Sequence, residues 1–289
     1  MVTMSSLRNA FYKGYHFSLT QLNHFSEDGT NIFDRDWDLL IILDACRVDL
    51  MKEVADEYEF IKDIQTIRSV NSATAAWMRD TFPDRTETGN TTYICGNPFS
   101  ESELERSWFA ELIEIWQTAW TDPGTVSPRP ITDQVVHQMR NKDRSPVIAH
   151  YMQPHCPFIP APELSKGKVL DNFGKQDHRD VWQRHRDGSL TFDDVWNGYK
   201  ANLQEVLDDI SILLNNVNAD KVVITSDHAN AIGEWGLYGH PGNVPFECLR
   251  RVPWIELTAE DNRDYKPEIN TNETEVSREE KLSSLGYLE

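Results

Sequence analysis

The sequence predicts an α/β fold in which a mostly parallel central sheet has helices on both faces. Residues 37–43 (WDLLIIL) form a short and nearly continuous apolar run, the pattern of a strand that is buried on both faces of a parallel sheet. Residues 146–151 and 221–225 repeat this pattern. Amphipathic segments of helical length separate the apolar runs, and strands that alternate with helices favour parallel pairing.

The individual elements follow from the apolar runs typical of strands, from the amphipathic pattern typical of helices, and from the turn residues that flank both. The predicted strands, in chain order, are residues 37–43, 91–95, 146–151, 221–225 and 252–257. The predicted helices are residues 47–57, 72–82, 100–120, 131–141, 193–217 and 278–285. The helix from residue 100 is predicted because Ser100 and Glu103 have capping-box spacing and the apolar residues after them recur on one helical face. Residues 153–190 mix proline, glycine, histidine and charges without periodicity, which predicts a long active-site loop or insertion.

The charge of the chain limits its partners. Its 28 Lys and Arg against 47 Asp and Glu give a net charge of −19, spread over the whole length. Such a protein repels a phosphate backbone, so we expect no nucleic-acid partner. The acidity fits either an ordinary solvated surface or adaptation to a high-salt cytosol, in which screening makes the charge tolerable. We favour the halophilic interpretation.

Targeting and redox signals favour a cytoplasmic location. Residues 1–16 contain no apolar core of a signal peptide, and the longest apolar run, residues 39–43, is far shorter than the ~20 residues of a membrane span. The four cysteines form no CxxC pair and have no metal-ligand spacing, so reduced thiols are expected. We therefore expect a soluble cytoplasmic protein without a membrane span, and the oligomeric state stays open.

Residues able to carry chemistry collect where the predicted strands end. In open α/β sheets, ligands bind outside the carboxyl ends of the strands. The candidates there are Asp44, Ser72, His155, Asp227, His228 and His240. Taken singly, Asp44 and Ser72 also fit helix N-caps, and His155 fits a loop histidine bonded to a carbonyl. The adjacent oxygen and nitrogen donors of Asp227 and His228 more specifically suit Zn²⁺ or Mn²⁺.

Taken together, the motifs resemble the sulfatase-like branch of the alkaline phosphatase superfamily. The likeness is carried by residues 39–49 (LLIILDACRVD) near the start, and by residues 223–228 (VITSDH) followed by His240 near the end. Residues 154–158 (PHCPF) are similar to the middle motif of sulfatases and lipoteichoic acid synthases. Residues 282–287 (LSSLGY) are similar to the closing segment of haloarchaeal sulfatase-like proteins.

The resemblance implies an alkaline phosphatase-like catalytic domain over residues 35–258. An N-terminal segment (1–34) precedes it, and an acidic tail with a short helix (259–289) follows it. The implied substrates are small-molecule, glycan-linked or lipid-linked anionic esters.

The resemblance also implies a metal site and a nucleophile. Asp44, Asp227 and His228 would bind one divalent metal ion, for which Mn²⁺, Zn²⁺, Ca²⁺ and Mg²⁺ stay open. Ser72 lies at the position of the nucleophile of phosphoethanolamine and phosphoglycerol transferases and would also contact the metal. Thr74 is the competing assignment.

The remaining candidates surround this nucleophile. A hydroxyl needs metal coordination or a base to attack at neutral pH, and a helix start at Ser72 would aim free N–H groups at an incoming anion. Ser69 is a more distant third candidate for the nucleophile. His155 and His240 would contact the transferred group, or a second metal. Arg47 would join them in substrate binding, unless it forms a structural ion pair.

One departure from the resemblance bears on the reaction. Formylglycine sulfatases need a Cys-x-Pro/Ala-x-Arg segment, and none of the four cysteines has that context. We therefore predict a metal-dependent hydrolase or transferase of phosphate (or sulfate) esters that forms a covalent seryl intermediate. The alternatives are a sulfatase acting on glycans, a glycan-modifying enzyme recruited to a membrane surface, and a non-catalytic member of the fold that binds an anion.

Overall fold

The computed structural model describes residues 12, 14–15, 17–20, 28–83, 85–141, 145–165, 180–270, 272 and 276–285. Its strands are β1 (Leu39–Asp44), β2 (Gln65–Arg68), β3 (Thr92–Cys95), β4 (Glu111–Glu114), β5 (Val147–Pro154), β6 (Ala219–Thr225), β7 (Ala231–Ile232), β8 (Tyr238–Gly239) and β9 (Arg251–Ala259). Its α-helices, outside the N-terminal residues, are α1 (Val48–Val54), α2 (Thr74–Thr81), α3 (Ser100–Glu103), α4 (Pro128–Asn141), α5 (Pro162–Ser165), α6 (Val181–Arg186), α7 (Phe192–Leu214), α8 (Glu247–Arg250) and α9 (Arg278–Ser284).

Seven of these strands form one sheet in the order β2-β9-β6-β1-β5-β3-β4. β1 pairs in parallel with β5 and β6, and β3 pairs in parallel with β4 and β5. β9 runs antiparallel to both of its neighbours, β2 and β6. The predicted mostly parallel sheet is therefore confirmed, with one reversed strand near an edge.

The central strand β1 explains the apolar run that predicted it. All six of its residues are buried, and successive side chains point to opposite faces of the sheet. Leu39 and Ile41 pack in a core that includes α1, α4 and α7. Leu40 and Ile42 pack in a second core with Trp77 of α2. Helices on both faces are thus confirmed.

Most element bounds agree with the sequence prediction to within a few residues. β5 runs on to Pro154, three residues past the predicted end, and α4 begins at Pro128, three residues before the predicted start. Helix α2 begins at Thr74 rather than at residue 72. The predicted strands at 91–95 and 221–225 are confirmed as β3 and β6.

The predicted helix over residues 100–120 is wrong. The only α-helix there is the four-residue α3. Two 3-10 turns (Arg106–Trp108 and Ile115–Gln117) flank β4, which pairs in parallel with β3. Ser100 does not cap a helix: its Oγ donates to Glu114 Oε1 over 2.7 Å and accepts from Trp116 Nε1. Over a short apolar run the helical and strand periodicities overlap, and pairing with the edge of the sheet decides between them.

The predicted aperiodic segment at 153–190 also contains regular structure in its described parts. β5 ends within it, and α5 and α6 follow, the latter capped by the side chain of Asp180. Residues 166–179 lie outside the described residues. The division of the chain into residues 1–34, 35–258 and 259–289 stays a prediction.

Two further expectations concern thiols and membranes. All four cysteines are free. Among the residues that the structure describes, no helix combines the length and apolarity needed to cross a bilayer.

Candidate active site

The carboxyl ends of three neighbouring strands meet in one buried cluster. β5, β1 and β6 lie side by side in the sheet. Asp44 ends β1, Asp227 follows β6 by two residues, and His150 lies within β5. Ligand atoms of these three side chains all lie within 4.8 Å of one another, and all three residues are buried. Strand order therefore assembles a potential metal site from distant parts of the chain.

Each aspartate uses one carboxylate oxygen for the protein and leaves the other bare. Asp44 Oδ2 accepts from Asn97 Nδ2 over 2.9 Å. Asp227 Oδ1 accepts from the backbone N–H groups of Ala45 (3.0 Å) and His228 (2.9 Å). Asp44 Oδ1 and Asp227 Oδ2 are buried and make no hydrogen bond of normal geometry to the described residues, although the Thr74 hydroxyl lies close enough to act to lower the pKa of both carboxyl groups. Because a buried carboxylate oxygen without a partner is costly, the two bare oxygens fit a bound cation.

The electrostatics of Asp44 and Asp227 also favour a bound cation. Burial and the Asp227 charge raise the pKa of Asp44 well above its ordinary value. Burial also acts to raise the pKa of Asp227, but the neighbouring rings of His228 and His150, together with hydrogen bonds from the Ala45 N–H and the Thr74 hydroxyl, outweigh burial, so the net pKa is lowered. Two buried carboxylates in contact are not both charged unless a positive group compensates them. A divalent cation is such a group.

His228 adds a nitrogen donor in a fixed orientation. Its Nδ1 lies 3.0 Å from the carbonyl oxygen of Ala229, so that N–H donates there and Nε2 keeps its lone pair. Nε2 lies 3.7 Å from Asp44 Oδ1 and 3.5 Å from Asp227 Oδ2. Ligands bound tetrahedrally at about 2.1 Å lie about 3.4 Å apart. The distances from His228 Nε2 to the two carboxylate oxygens are close to this distance between ligands.

His150 belongs to the cluster although the sequence analysis did not select it. Its Nε2 lies 3.8 Å from Asp227 Oδ2 and makes no hydrogen bond to the described residues. Its Nδ1 lies 2.7 Å from the hydroxyl of Tyr93. Burial lowers the pKa of His150 to about 4, so the ring is neutral near neutral pH. A histidine inside an otherwise apolar strand is the signal that could have identified it.

Asn97 is a second residue that the sequence analysis missed. It follows β3 by two residues and is fully buried. Its Nδ2 holds Asp44, and its Oδ1 accepts from the N–H of Phe99 over 3.0 Å. The signal was an amide side chain directly after a buried parallel strand, where ligand-binding residues collect.

Thr74 lies against this cluster. Its Oγ1 is 3.1 Å from His228 Nε2, and because that nitrogen carries a lone pair the hydroxyl donates to it. Thr74 is also the first residue of α2, with Ala73 as the N-cap. The free N–H groups and the positive end of the helix dipole are therefore at Thr74.

Ser72 is directed elsewhere. Its Oγ donates to the carbonyl oxygen of Pro241 over 2.7 Å and accepts from the N–H of Val244 over 2.9 Å. The expected helix start at Ser72 is wrong by two residues, since α2 begins at Thr74. Of the two nucleophile candidates, the structure brings Thr74, and not Ser72, into contact with a candidate metal ligand. Ser69 Oγ donates to the backbone oxygen of Asp227.

His155 and His240 form an imidazole pair beside the cluster. Their Nε2 atoms lie 2.8 Å apart, and the ring of His240 stacks on that of His228 with centroids 4.5 Å apart. His155 Nδ1 is bonded to the carbonyl of Cys156, which assigns the acceptor role to His155 Nε2 and the donor role to His240 Nε2. Burial lowers the pKa of His155 to about 4 and that of His240 well below its ordinary value. Both rings are therefore neutral at neutral pH.

Helix α7 holds the segment that carries His155. Asn202 is fully buried, and its Nδ2 donates to the carbonyl oxygens of Pro154 (3.1 Å) and His155 (2.9 Å). Its Oδ1 accepts from the N–H of Ile159 over 2.9 Å. One amide side chain thus fixes both ends of the turn that follows β5.

Arg47 does not face the cluster, contrary to the expectation that it binds substrate. Its Nε and one terminal nitrogen donate to the two oxygens of Asp49, at 2.8 and 2.6 Å. The other terminal nitrogen donates to the carbonyl of Asn230 (2.6 Å) and to Glu234 (2.7 Å). Arg47 therefore forms the structural ion pair that was its alternative role, and it ties the β7–β8 hairpin to the start of α1.

A strained turn after β1 aligns the two aspartates. Ala45 has a φ of +64°, a left-handed conformation that is uncommon without glycine. This turn directs the N–H of Ala45 at Asp227 and the N–H of Cys46 at the hydroxyl of Ser226, 2.8 Å away. Tyr199 donates to the carbonyl oxygen of Ala45. These contacts stabilise the strained residue and hold the carboxyl ends of β1 and β6 together.

Comparisons with known proteins give only distant structural likenesses. No protein-family model and no curated protein matches this chain. Among solved structures, the soluble domain of lipooligosaccharide phosphoethanolamine transferase A from Neisseria meningitidis is similar, with a TM-score of 0.48 and 12% identity, covering 78% of this chain and 77% of that one. A protein solved in complex with its substrate, D-glucosamine-2-N,6-O-disulfate, has a TM-score of 0.47 and 14% identity, covering 79% of this chain and 72% of that one.

A third structure is described as a protein in the alkaline phosphatase superfamily, from Vibrio parahaemolyticus. It has a TM-score of 0.41 and 13% identity, and the match covers 84% of this chain and 62% of that one. Alkaline phosphatase superfamily proteins are thus among the structural neighbours. The sequence motifs resemble the same superfamily. At these identities and TM-scores the likeness carries no information about the chemistry of this chain. A haloarchaeal origin stays a prediction.

Proposed function

We propose that this chain is a metal-dependent hydrolase or transferase of phosphate esters, with Thr74 as the nucleophile. The observation that supports it is the pair of bare buried oxygens, Asp44 Oδ1 and Asp227 Oδ2, beside a histidine Nε2 that also accepts from the Thr74 hydroxyl. A purely structural cluster would satisfy those oxygens with donors of its own. The covalent intermediate is then a threonyl ester, in place of the seryl ester that the sequence suggested.

The side chains suit a divalent cation that accepts mixed ligands. Asp44, Asp227 and His228 would hold it, with His228 Nε2 exchanging the Thr74 hydroxyl for the cation, and His150 would join them from β5. Carboxylate oxygens and imidazole nitrogens together favour Zn²⁺ or Mn²⁺ over Ca²⁺ or Mg²⁺, which prefer oxygen ligands. When bound, such a cation lowers the pKa of a hydroxyl that it contacts and polarises a phosphoryl oxygen.

Thr74 supplies the attacking oxygen. Its Oγ1 forms a bond to phosphorus while the bond from phosphorus to the leaving alcohol breaks. Thr74 would release its proton to water, and the departing alcohol would take one from water or from the His240 N–H, so protons balance. Water or a second alcohol then attacks the phosphorus and releases Thr74, which completes hydrolysis or transfer. The N-terminal end of α2 favours the anionic group during both steps.

His155 and His240 provide neutral hydrogen-bonding groups at the entrance. His240 is partly exposed, whereas Asp44, Thr74 and His228 are fully buried. An ester would therefore approach past His240. The His240 N–H would exchange its bond to His155 Nε2 for one to a non-bridging oxygen of the phosphoryl group, or deliver a proton to the leaving alcohol.

Phosphate is favoured over sulfate because the proposed nucleophile is a plain hydroxyl. A formylglycine enzyme expels sulfate from an aldehyde hydrate by elimination, and a threonyl sulfate has no such route. A threonyl phosphate beside a metal can be attacked in line by water or by an alcohol.

The reaction is tested with p-nitrophenyl phosphate, bis-p-nitrophenyl phosphate and p-nitrophenyl sulfate, each supplied with Mn²⁺, Zn²⁺, Ca²⁺ or Mg²⁺. We expect turnover of a phosphate ester above the sulfate, and a Thr74→Ala variant that folds but is inert. Thr88→Ala is the matched control, because Thr88 is a buried hydroxyl that donates to a backbone carbonyl at the opposite end of β3. Full activity of Thr74→Ala would overturn the nucleophile, and metal binding without any turnover would favour the non-catalytic alternative.

The metal site is tested by direct analysis of bound metal. Asp227→Asn should lose the cation, because it removes a charged ligand from a buried site. Asp49→Asn is its control, since Asp49 is bonded to Arg47 and not to the cluster. One equivalent of metal retained by Asp227→Asn would place the site elsewhere.

A further inference from the structure

Two loops of the site are fastened together by side chains outside the carboxylate cluster. We call residues 69–74, which end at Thr74, the nucleophile loop, and residues 240–244 the histidine loop. Ser72 Oγ donates to the carbonyl of Pro241 over 2.7 Å and accepts from the N–H of Val244 over 2.9 Å. A single fully buried hydroxyl therefore binds two backbone groups of the other loop.

Asn71 adds a second pair of bonds between the same loops. Its Nδ2 donates to Asn243 Oδ1 over 2.9 Å, and its Oδ1 accepts from the N–H of Asn243 over 2.9 Å. The same amide donates to Asp80 of α2 over 2.7 Å and accepts from the N–H of Ser72 over 2.7 Å. All four hydrogen-bonding positions of the Asn71 amide are thus used. Asn71 and Ser72 are buried, whereas Asp80 and Asn243 lie at the surface; a buried polar group whose hydrogen bonds are all made specifies one geometry.

These hydrogen bonds lie close to Thr74 and His240, the two groups whose relative position matters for the proposed reaction. Thr74 follows Ser72 by two residues, and His240 directly precedes Pro241. Neither loop lies in a strand of the sheet, so sheet pairing does not set their separation. The loops touch again at Gly242, where a Cβ would meet that of Ala73 at 3.5 Å.

We propose that Asn71 and Ser72 are positioning residues that hold the Thr74 hydroxyl in register with the His240 imidazole. The proposal rests on the function proposed above, and it gives Ser72 a role other than nucleophile. A displacement of about 1 Å in a reacting group lowers a rate by about a hundredfold, so loss of part of this network reduces turnover without removing a reacting atom.

The first test is the Ser72→Ala variant, compared with wild type for turnover of the phosphate ester and for bound metal. Two hydrogen bonds are lost, so kcat should fall about tenfold or more, while KM changes less than about twofold. Metal content should be unchanged, because no ligand is altered. Thr88→Ala, which loses a buried hydroxyl far from both loops, should keep wild-type kcat. Wild-type kcat in Ser72→Ala would overturn the proposal.

A double-mutant cycle with His240→Ala separates positioning from general stability. If Ser72 acts through the His240 loop, Ser72→Ala should cost less than about twofold once His240 is absent. The same fold-loss in both backgrounds would show a merely structural role and overturn the proposal.

A rescue experiment covers the case in which Ser72→Ala fails to fold. Asn71→Asp places a carboxylate against Asp80 and against Asn243 Oδ1, and should lower kcat. The double variant N71D/D80N restores a donor at position 80, and the exposed Asn243 amide can turn its Nδ2 to the new carboxylate, so most of kcat should recover. If the double variant folds normally but its kcat does not recover, the result would contradict the role of the Asn71 network. Wild-type protein that turns over no ester would overturn the proposed function itself, whereas an active wild type with unaffected Ser72 and Asn71 variants would overturn only the positioning role.

Discussion

Tyr93 shows how one buried hydroxyl orients a neighbouring imidazole. Its oxygen lies 2.7 Å from His150 Nδ1, and the two rings are nearly parallel, 8° apart. Trp77 also packs against His150, with the two ring planes nearly perpendicular and a centroid distance of 5.8 Å. Two aromatic neighbours therefore contact the ring of His150, and its Nε2 lies 3.8 Å from Asp227 Oδ2. Partners of this kind fix the orientation and basicity of metal-binding histidines.

Replacing Tyr93 by phenylalanine should weaken binding of the divalent cation about tenfold, because the orienting hydrogen bond to His150 is lost. Isothermal titration of metal-free protein with Zn²⁺ or Mn²⁺ measures the change. Tyr151→Phe is the matched control: Tyr151 is next to His150 in β5, but its hydroxyl bonds to Thr132 over 2.8 Å. Equal affinities for wild type and Tyr93→Phe would remove His150 from the ligand set.

At the scale of elements, α7 connects the core to the site. Its buried face packs in the core beneath β5, and Asn202 interrupts that apolar face with a polar side chain. The amide makes three hydrogen bonds to the turn after β5, at 2.9 to 3.1 Å. A buried amide with backbone partners specifies the path of an irregular segment, which an apolar residue does not do.

Asn202→Ala should lower the free energy of unfolding by about 2–4 kcal/mol, because three backbone groups of a buried turn lose their partner. Urea denaturation at constant m-value measures the loss. Asn215→Ala, at the exposed C-terminal end of the same helix, serves as the control and should cost less than about 0.5 kcal/mol. An unchanged midpoint for Asn202→Ala would contradict the anchoring role.

At the scale of the whole molecule, the dominant feature is the net charge of −19 on 289 residues. Acidic side chains repel one another most in the compact state, so the charge favours solubility at the expense of folding stability. Mobile ions screen exposed charges over about 10 Å at 0.1 M salt and about 3 Å at 1 M. Salt screens the buried carboxylates of the site much less, so added salt changes the repulsion between surface charges and leaves the site nearly unaffected.

The melting temperature should therefore rise as KCl is increased from low to molar concentration. Differential scanning calorimetry over a KCl series measures the trend, and a matched sucrose series controls for general exclusion effects. A melting temperature that is flat or falls with KCl would remove the halophilic interpretation and leave the acidity as ordinary surface solvation.

The sequence by itself determined the central strands of the sheet and part of the site. The runs that became β1, β5 and β6 are apolar because parallel strands are buried on both faces, a condition that is visible locally. Asp44 and Asp227 could be selected because the carboxyl ends of such strands meet at one edge. His228 could be added because it adjoins Asp227 in sequence.

Only the tertiary structure decided the remaining roles, because they depend on contacts between residues far apart in the chain. Ser72 and Thr74 are equivalent as hydroxyls in sequence, and the loop after His240 engages one while His228 engages the other. The same holds for residues 111–114, which are a strand because β3 lies beside them. Local patterns record how buried a residue is, whereas the partner that satisfies a buried polar atom is set by the path of the whole chain.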